Sequence, residues 1–173
     1  MAMPDTLMDI SEAETGTMKL SLENVNLAGL IEEVADVYRY LADEKNIALF
    51  TKAPNDINLH GDRARLRQVL ANLVDNAIKY TPSGGRVDIE AFHRAQQAVL
   101  IVRDNGIGIA SDEMPHIWDR LYRGDKSRSQ RGLGLGLSLV RAVVQAHHGQ
   151  VEAAANASGG SLFSLYLPLS PSV

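Results

Sequence analysis

The 173-residue sequence contains no cysteine. It therefore has no disulfide framework and no thiolate ligands for a metal ion, which is consistent with a cytoplasmic protein. No apolar run approaches the length of a membrane span, and the opening residues MAMPDTLMDI lack the basic-then-apolar pattern of a secretion signal. A net charge of -4 gives no general reason to expect nucleic acid or an anionic membrane surface as a partner. We therefore expect a soluble chain that contacts neither.

Length and composition suit a single domain with a core of its own. Residues 1–16 are short and acidic, and Leu7, Ile10 and Ala13 are spaced as in the last turns of a helix that Gly16 ends. We interpret residues 1–16 as the frayed tail of an upstream dimerisation helix or as an artificial chain end. The domain itself is predicted at residues 17–170.

The spacing of apolar residues predicts both helices and strands. Helices are predicted from the Asn26 cap to Glu44, from Asp62 to Tyr80 and from Leu133 to His147. Strands are predicted at residues 18–22, 47–51, 57–59, 86–92, 98–102, 150–155 and 161–168. Val37, Tyr38 and Leu41 are assigned to the inner face of the first long helix, and Gly149 to the end of the last. Three long helices with several strands indicate an α+β fold, a two-layer sandwich with the helices on one face.

The helix from Asp62 to Tyr80 carries the first candidate site residues. Asn72 and Asn76 are four positions apart, so their amides lie on one face about one turn from each other. Asn is a poor helix former, because its side chain competes for backbone hydrogen bonds, and two of them weaken this element. Amides at the surface or at the edge of a core are the ordinary explanation, and these residues alone do not exclude it.

Two glycine-rich segments follow. Asp104-Asn105-Gly106-Ile107-Gly108-Ile109 comes directly after the strand VLIVR, and its glycines let the backbone approach a flat ligand closely. The same residues also suit a simple turn. Gly132-Leu133-Gly134-Leu135-Gly136-Leu137 opens the last long helix, where free N–H groups and the helix dipole favour an anion, with close helix packing as the alternative. Regular pattern is sparse from Asp104 to Arg131, which indicates a functional loop or lid.

Together, these three motifs resemble the N, G1 and G2 boxes of the histidine-kinase catalytic domain, which shares its ATP-binding fold with gyrase, MutL and a heat-shock chaperone. RLRQVLANLVDNAIKYTPSGG matches the family pattern almost word for word, and GGSLFSLYLP is similar to its closing strand. IWDRLYRGD resembles the F box, although Trp118 and Leu121 stand where phenylalanines are usual. The resemblance covers nearly the whole chain and implies a mixed sheet with helices on one face and an ATP lid.

The resemblance also implies roles for individual residues. Asn76 would give its amide oxygen to Mg²⁺, while Asn72 would position phosphates or a metal-bound water. Asp104 would accept a hydrogen bond from the adenine amino group. The remaining implied nucleotide contacts are Lys79, Tyr80, Gly106, Gly108, Ile109, Tyr122, Arg123, Arg131, Gly132, Leu133, Gly134, Leu135, Gly136 and Leu137. Without the family, Lys79 would be read as a solvated lysine, and Tyr80 as a core aromatic; Phe163 could close the base pocket or simply pack in the core.

Two expected groups are absent from the sequence. Hydrolysing relatives carry a Glu one turn before the metal-binding Asn, and here that position is Asn72, whose amide cannot take a proton from water at neutral pH. The kinases also use a histidine followed by an acidic residue, in a stretch like HELRTPL. None of the five histidines has that context, and His147 and His148 are assigned to a helix end, where positive charge suits the dipole.

The resemblance therefore implies the catalytic domain of a protein-histidine kinase of a two-component system. It would bind Mg-ATP and donate the γ-phosphoryl group to a histidine on a separate dimerisation domain, ahead of a downstream response regulator. We expect it in the cytoplasm, as part of an inner-membrane sensor kinase, and unable to phosphorylate itself alone. Two alternatives stay open, namely a module that only binds ATP and a serine kinase of the anti-sigma type.

Overall fold

The structure, a computed structural model, describes residues 3–119, 136–157 and 159–169. Its helices are α1 Met3–Glu14, α2 Leu27–Glu44, α3 Arg63–Lys79 and α4 Gly136–Ala146, with one 3₁₀ turn at Met114–His116. Its strands are β1 Leu22–Asn26, β2 Ala48–Lys52, β3 Asn58–Asp62, β4 Arg86–Arg94, β5 Gln97–Asp104, β6 Gln150–Ala155 and β7 Ser161–Pro168.

A mixed five-stranded sheet forms one layer. Its strand order is β2-β4-β5-β7-β6; β2 runs parallel to β4, and the other neighbours are antiparallel. Alternate residues of β4, namely Val87, Ile89 and Ala91, are buried because they face the helices. In the β4–β5 ladder Val87 lies opposite Asp104, which places this aspartate at the end of a central strand. The predicted two-layer α+β fold with a mixed sheet is confirmed.

Helix α3 lies between α2 and α4 in the other layer. Seven apolar residues that recur at helical spacing form its buried inner face: Leu66, Val69, Leu70, Leu73, Val74, Ala77 and Ile78. Asp62 caps the start by accepting from the Arg65 N–H at 3.1 Å. At the other end, the Lys45 ammonium donates to the carbonyls of Ile78 and Lys79, each at 2.8 Å. A cation there suits the negative end of the helix dipole.

The N-terminal segment differs from the prediction. Residues 3–14 form a complete helix that packs against α4, and Ile10 is only 1% exposed. Burial in a shared core stabilises a helix too short to persist alone. This segment is therefore part of the packed structure rather than a frayed tail, whereas an origin in a dimerisation helix stays a prediction. Gly16 follows with φ of 75°, as expected for a residue that ends a helix.

Three further expectations need correction. The strand expected at residues 18–22 begins only at Leu22, and the buried residue of β1 is Val25. On α2, Val37 and Leu41 are 55% and 47% exposed, because the apolar stripe of this helix is wider than the surface that α3 and the sheet cover. The end of α4 also differs: His148 takes the left-handed backbone conformation, with φ of 61°, whereas Gly149 lies close against the Tyr166 carbonyl.

His147 joins the end of α4 to the start of α3. Its Nε2 accepts from the Asp62 N–H at 3.0 Å, and its Nδ1 lies 2.8 Å from the Val143 carbonyl, so Nδ1 carries the proton and donates. Burial lowers the pKa of His147 despite the nearby Asp62 carboxylate. The expected positive charge at this helix end is therefore wrong for His147, which serves as a neutral hydrogen-bonding group.

No helix in the described part of the chain is both long enough and apolar enough to cross a membrane.

The His147 bridge should make stability depend on pH. Because the pKa of His147 is lowered in the folded chain, this histidine takes up a proton in the unfolded chain first, as the pH falls below about 6.5. The stabilisation is thus complete above that pH and is lost at lower pH, as the folded histidine is forced to titrate. We expect the free energy of unfolding, measured in urea, to fall more steeply between pH 8 and pH 5.5 in the wild type than in His147→Gln. Parallel pH profiles for the two proteins would contradict the neutral bridge.

Candidate functional site

The site is built around Asp104, whose side chain is buried at the end of β5. Its Oδ1 accepts from the Gly106 N–H at 2.9 Å and from the Ser161 N–H at 3.3 Å. Its Oδ2 accepts from the Ser161 hydroxyl at 2.8 Å. A carboxylate offers about four lone-pair positions, so these donors leave one acceptor position on Oδ2. A buried acceptor of this kind is suited to a donor group on a ligand.

Glycines allow two loops to close on Asp104. A Cβ at Gly106 would lie 2.2 Å from the Tyr80 carbonyl oxygen, and one at Gly160 would lie 2.2 Å from the Asp104 carbonyl oxygen. Gly160 also has φ of 87°, which L side chains rarely adopt. Gly108, with φ of 75°, faces the Gly160 carbonyl. The glycine-rich backbone therefore packs closely against the end of α3 and the β6–β7 turn, whereas its approach to a flat ligand stays a prediction.

The C-terminal half of α3 connects this loop to α4. The Ile107 N–H donates to the Tyr80 carbonyl at 3.0 Å, which fastens the DNGIG loop to the end of α3. About two turns earlier, the Asn72 amide lies 3.4 Å from the Gly136 carbonyl at the start of α4. The DNGIG loop and Gly136, the first described residue of the second glycine-rich segment, thus both contact α3.

The polar face of α3 carries the remaining predicted groups. Asn72, Asn76 and Lys79 are half-buried, and the Asn76 side chain makes no hydrogen bond within the described residues. The Lys79 ammonium lies 2.8 Å from the Asp75 carboxylate, so its charge is partly neutralised in this state. Burial and the charge of Asp75 raise the pKa of the Tyr38 phenol on α2.

The sequence also predicts Tyr80 and Ile109, and as one alternative Phe163, at the base pocket. Tyr80 and Ile109 are half-buried. Phe163 is 6% exposed and meets the Trp118 ring edge-on, with ring centroids 6.0 Å apart. Phe163 therefore packs in the core.

Part of the predicted site lies outside the described residues, namely Tyr122, Arg123, Arg131, Gly132, Leu133, Gly134 and Leu135. Of the second glycine-rich segment, the structure describes Gly136 and Leu137, the first residues of α4.

Ser161, Gly160 and Asn156 are the residues that sequence reasoning missed. Ser161 and Gly160 contact the Asp104 carboxylate or its loop, and the Asn156 amide donates to the Asp104 carbonyl at 2.9 Å. The available signal was the Gly159-Gly160-Ser161 turn before the last strand, since paired glycines mark a tight backbone approach.

Comparison with known proteins identifies the family to which this fold belongs. Residues 61–171 match the model of the histidine kinase-, DNA gyrase B- and HSP90-like ATPases. The chain belongs to this family. The isolated catalytic domain of histidine kinase ThkA superposes with a TM-score of 0.79 at 27% identity, covering 88% of this chain and 100% of that one. Full-length ShkA, solved in complex with AMPPNP, gives 0.83 at 26% identity, over 98% of this chain and 35% of ShkA.

Curated relatives are sensory kinases. The adaptive-response sensory kinase SasA of Rippkaea orientalis is 34% identical over 94% of this chain and 42% of its own length. The sensor-like histidine kinase SenX3 of Mycobacterium tuberculosis is 34% identical over 94% of this chain and 40% of its own. The chain thus spans about two fifths of these relatives and corresponds to the ATP-binding catalytic domain of the histidine kinases.

Two variants can separate the effect on stability of the close packing at Gly160 from the effect of its positive φ. Gly160→Ala should displace the Asp104 loop, because the new Cβ would overlap the Asp104 carbonyl and the Gly106 nitrogen. Gly159→Ala is a matched control, since Gly159 has φ of 94° but nothing within 4 Å of an added Cβ. We expect Gly159→Ala to cost about 1 kcal/mol in urea unfolding, and Gly160→Ala to cost more. Equal losses for the two variants would contradict the close approach.

Proposed function

We propose that this chain binds ATP with the adenine against Asp104 and the phosphates over the α3 face of Asn72 and Asn76. The γ-phosphoryl group would then pass to a histidine on a separate dimerisation domain. The observation that carries the proposal is the acceptor position that remains on Asp104 Oδ2, buried beside a glycine-lined loop. Family membership supplies the class of ligand, an adenine nucleotide.

Adenine fits this acceptor better than guanine does. The exocyclic group of adenine is an amino donor, which would complete the hydrogen bonding of the Asp104 carboxylate. Guanine has a carbonyl oxygen at that position, so two acceptors would face each other in a buried setting. Because Ser161 and Gly106 fix the carboxylate from the other side, Asp104 cannot turn away without losing their hydrogen bonds.

The phosphate end is expected to include Mg²⁺. No group of three or more His, Asp or Glu side chains in the described parts of the chain could hold a metal ion by itself. The Asn76 amide oxygen is nevertheless a hard donor without a partner there, and Mg²⁺ commonly takes one or two protein oxygens together with phosphate oxygens. The donor set therefore fits, and the bound ion would neutralise charge that develops on the phosphates. Asn72 and Lys79 would position the phosphates.

Transfer is favoured over hydrolysis because the site face lacks a general base. Asn72 cannot accept a proton from water. Asp75 is the only carboxylate between Val69 and Tyr80, and it is paired with Lys79. Positioning of the phosphoryl group against an acceptor would then supply most of the catalysis.

The proposed partners follow from the relatives of this chain. We propose a dimerisation domain of the same kinase as acceptor and a response regulator as the next recipient, since SasA and SenX3 are sensory kinases. We also propose a cytoplasmic site of action, as part of an inner-membrane sensor kinase, because a domain that consumes ATP must face the compartment that contains it.

Base recognition predicts a preference for ATP over GTP. We expect ATP to bind about ten- to hundredfold more tightly than GTP, because bound GTP would lack the hydrogen bond to Asp104 and would leave a buried acceptor unpaired. Isothermal titration with each nucleotide in the same magnesium buffer measures this ratio. Comparable affinities for ATP and GTP would remove Asp104 from the base site.

If Asn76 binds Mg²⁺, its side chain should contribute to ATP affinity only when magnesium is present. Asn76→Ala should weaken ATP binding about tenfold in magnesium buffer, a change of about 1.4 kcal/mol, and much less in EDTA. Asn58→Ala, on β3 away from this face, is the control. If EDTA leaves the ATP affinity of the wild type unchanged, the metal role of Asn76 is wrong.

Phosphotransfer is tested with γ-labelled ATP. The chain alone should show neither rapid phosphate release nor acid-labile label, because it lacks both a base at position 72 and an acceptor histidine. Addition of the dimerisation helices of the same kinase should label those helices, slowly, since an untethered encounter has a low effective concentration.

Three outcomes count against the proposal. Stable label on the chain alone contradicts the need for a separate acceptor. Rapid phosphate release favours a hydrolase and removes the explanation based on Asn72. Binding of ATP without label on the added helices favours a module that only binds nucleotide.

A further inference from the structure

The turn between β6 and β7 is fastened to the base site by one side chain. The Asn156 amide donates to the Asp104 main-chain carbonyl at 2.9 Å. Asn156 also closes its own turn, since its N–H donates to the Gly160 carbonyl at 3.1 Å and its carbonyl accepts from the Gly159 N–H at 3.0 Å. The half-buried Asn156 therefore joins the turn that carries Gly160 to the strand that carries Asp104.

The Asn156 side chain takes the place of a backbone hydrogen bond where the β5–β7 ladder has ended. The β5–β7 ladder runs from Gln97 opposite Pro168 to Arg103 opposite Leu162, and it stops before Asp104. Beyond that point, the Asp104 carbonyl is met by the Asn156 amide. A buried carbonyl left without a donor is costly, so the amide favours the position in which Asp104 lies against the turn.

Two further contacts depend on that position. Ser161 must lie next to the Asp104 carboxylate for its hydroxyl to reach Oδ2 at 2.8 Å, and the Gly160 backbone must approach the Asp104 carbonyl. Gly160 belongs to the turn that Asn156 closes, and Ser161 follows it directly as the first residue of β7. A shift of the turn away from β5 would therefore move the donor that occupies one side of Oδ2.

We propose that Asn156 is a positioning residue for base selection. By tying the β6–β7 turn to the Asp104 carbonyl, it holds Ser161 on the carboxylate and keeps the remaining Oδ2 acceptor directed at the amino group of the base. The inference rests on the proposed binding of an adenine nucleotide at Asp104. Asn156 itself touches neither base nor phosphate in this role.

The chemistry of the side chain makes the role testable. Asn156→Asp has nearly the same shape but no N–H donor, and it sets an acceptor against the Asp104 carbonyl. Asn156→Ala removes the side chain without adding charge. Asn58→Asp is the matched control: it makes the same charge change, at an exposed position of β3, and removes an amide that lies 3.4 Å from the main-chain carbonyl of Asp56.

The readout is the ratio of ATP to GTP affinity for the whole chain in magnesium buffer, with unfolding in urea as a check that each variant is folded. Both Asn156 variants should lose ATP affinity, by about tenfold for Asn156→Asp, with little change for GTP. The ratio therefore falls, whereas Asn58→Asp keeps the wild-type ratio. Asn156→Ala decides the question if Asn156→Asp does not fold.

An unchanged ratio in a folded Asn156 variant overturns the inference and leaves the adenine assignment intact. An equal loss of affinity for ATP and GTP also overturns it, because the role would then be merely structural. A wild type that binds both nucleotides equally overturns the adenine assignment, and this inference falls with it.

Discussion

Helix α3 is held at both ends by side chains from the helices beside it, and the rest of the site depends on that placement. At its start, the neutral His147 at the end of α4 accepts the Asp62 N–H, and at its end Lys45 from α2 donates to two carbonyls. These contacts join three helices through backbone groups that a helix alone leaves without partners. These contacts therefore fix the position of α3 and of its polar face.

The second constraint is the set of hydrogen bonds that holds Asp104 from two sides. One side of this residue is held by the DNGIG loop, which is tied in turn to the Tyr80 carbonyl, and the other side by the β6–β7 turn. The loop and the turn can approach only because Gly106 and Gly160 have no Cβ. A carboxylate held in this way has little freedom to reorient, which is what selective recognition of one donor requires.

The sequence predicts the elements well where local signals agree. The sequence predicts α3 to within one residue at each end, because three local signals coincide: apolar residues at helical spacing, Asp62 as a cap, and Thr81-Pro82, which follows Tyr80 and ends the helix. The roles of His147, Ser161 and Asn156 could not be predicted from local pattern, since their partners Asp62 and Asp104 are 85, 57 and 52 positions away along the chain. The expected inward positions of Val37 and Leu41 failed for a related reason: periodicity defines a stripe but not how much of it neighbouring elements cover.

The most direct measurement is a crystal structure of this chain with magnesium and a non-hydrolysable ATP analogue. We expect the exocyclic amino nitrogen of adenine within about 2.7–3.2 Å of Asp104 Oδ2, with the Ser161 hydroxyl still on the same oxygen. We also expect the phosphates over Asn72 and Asn76. A nucleotide bound with its base away from Asp104, or with its phosphates away from the polar face of α3, would contradict the proposed site.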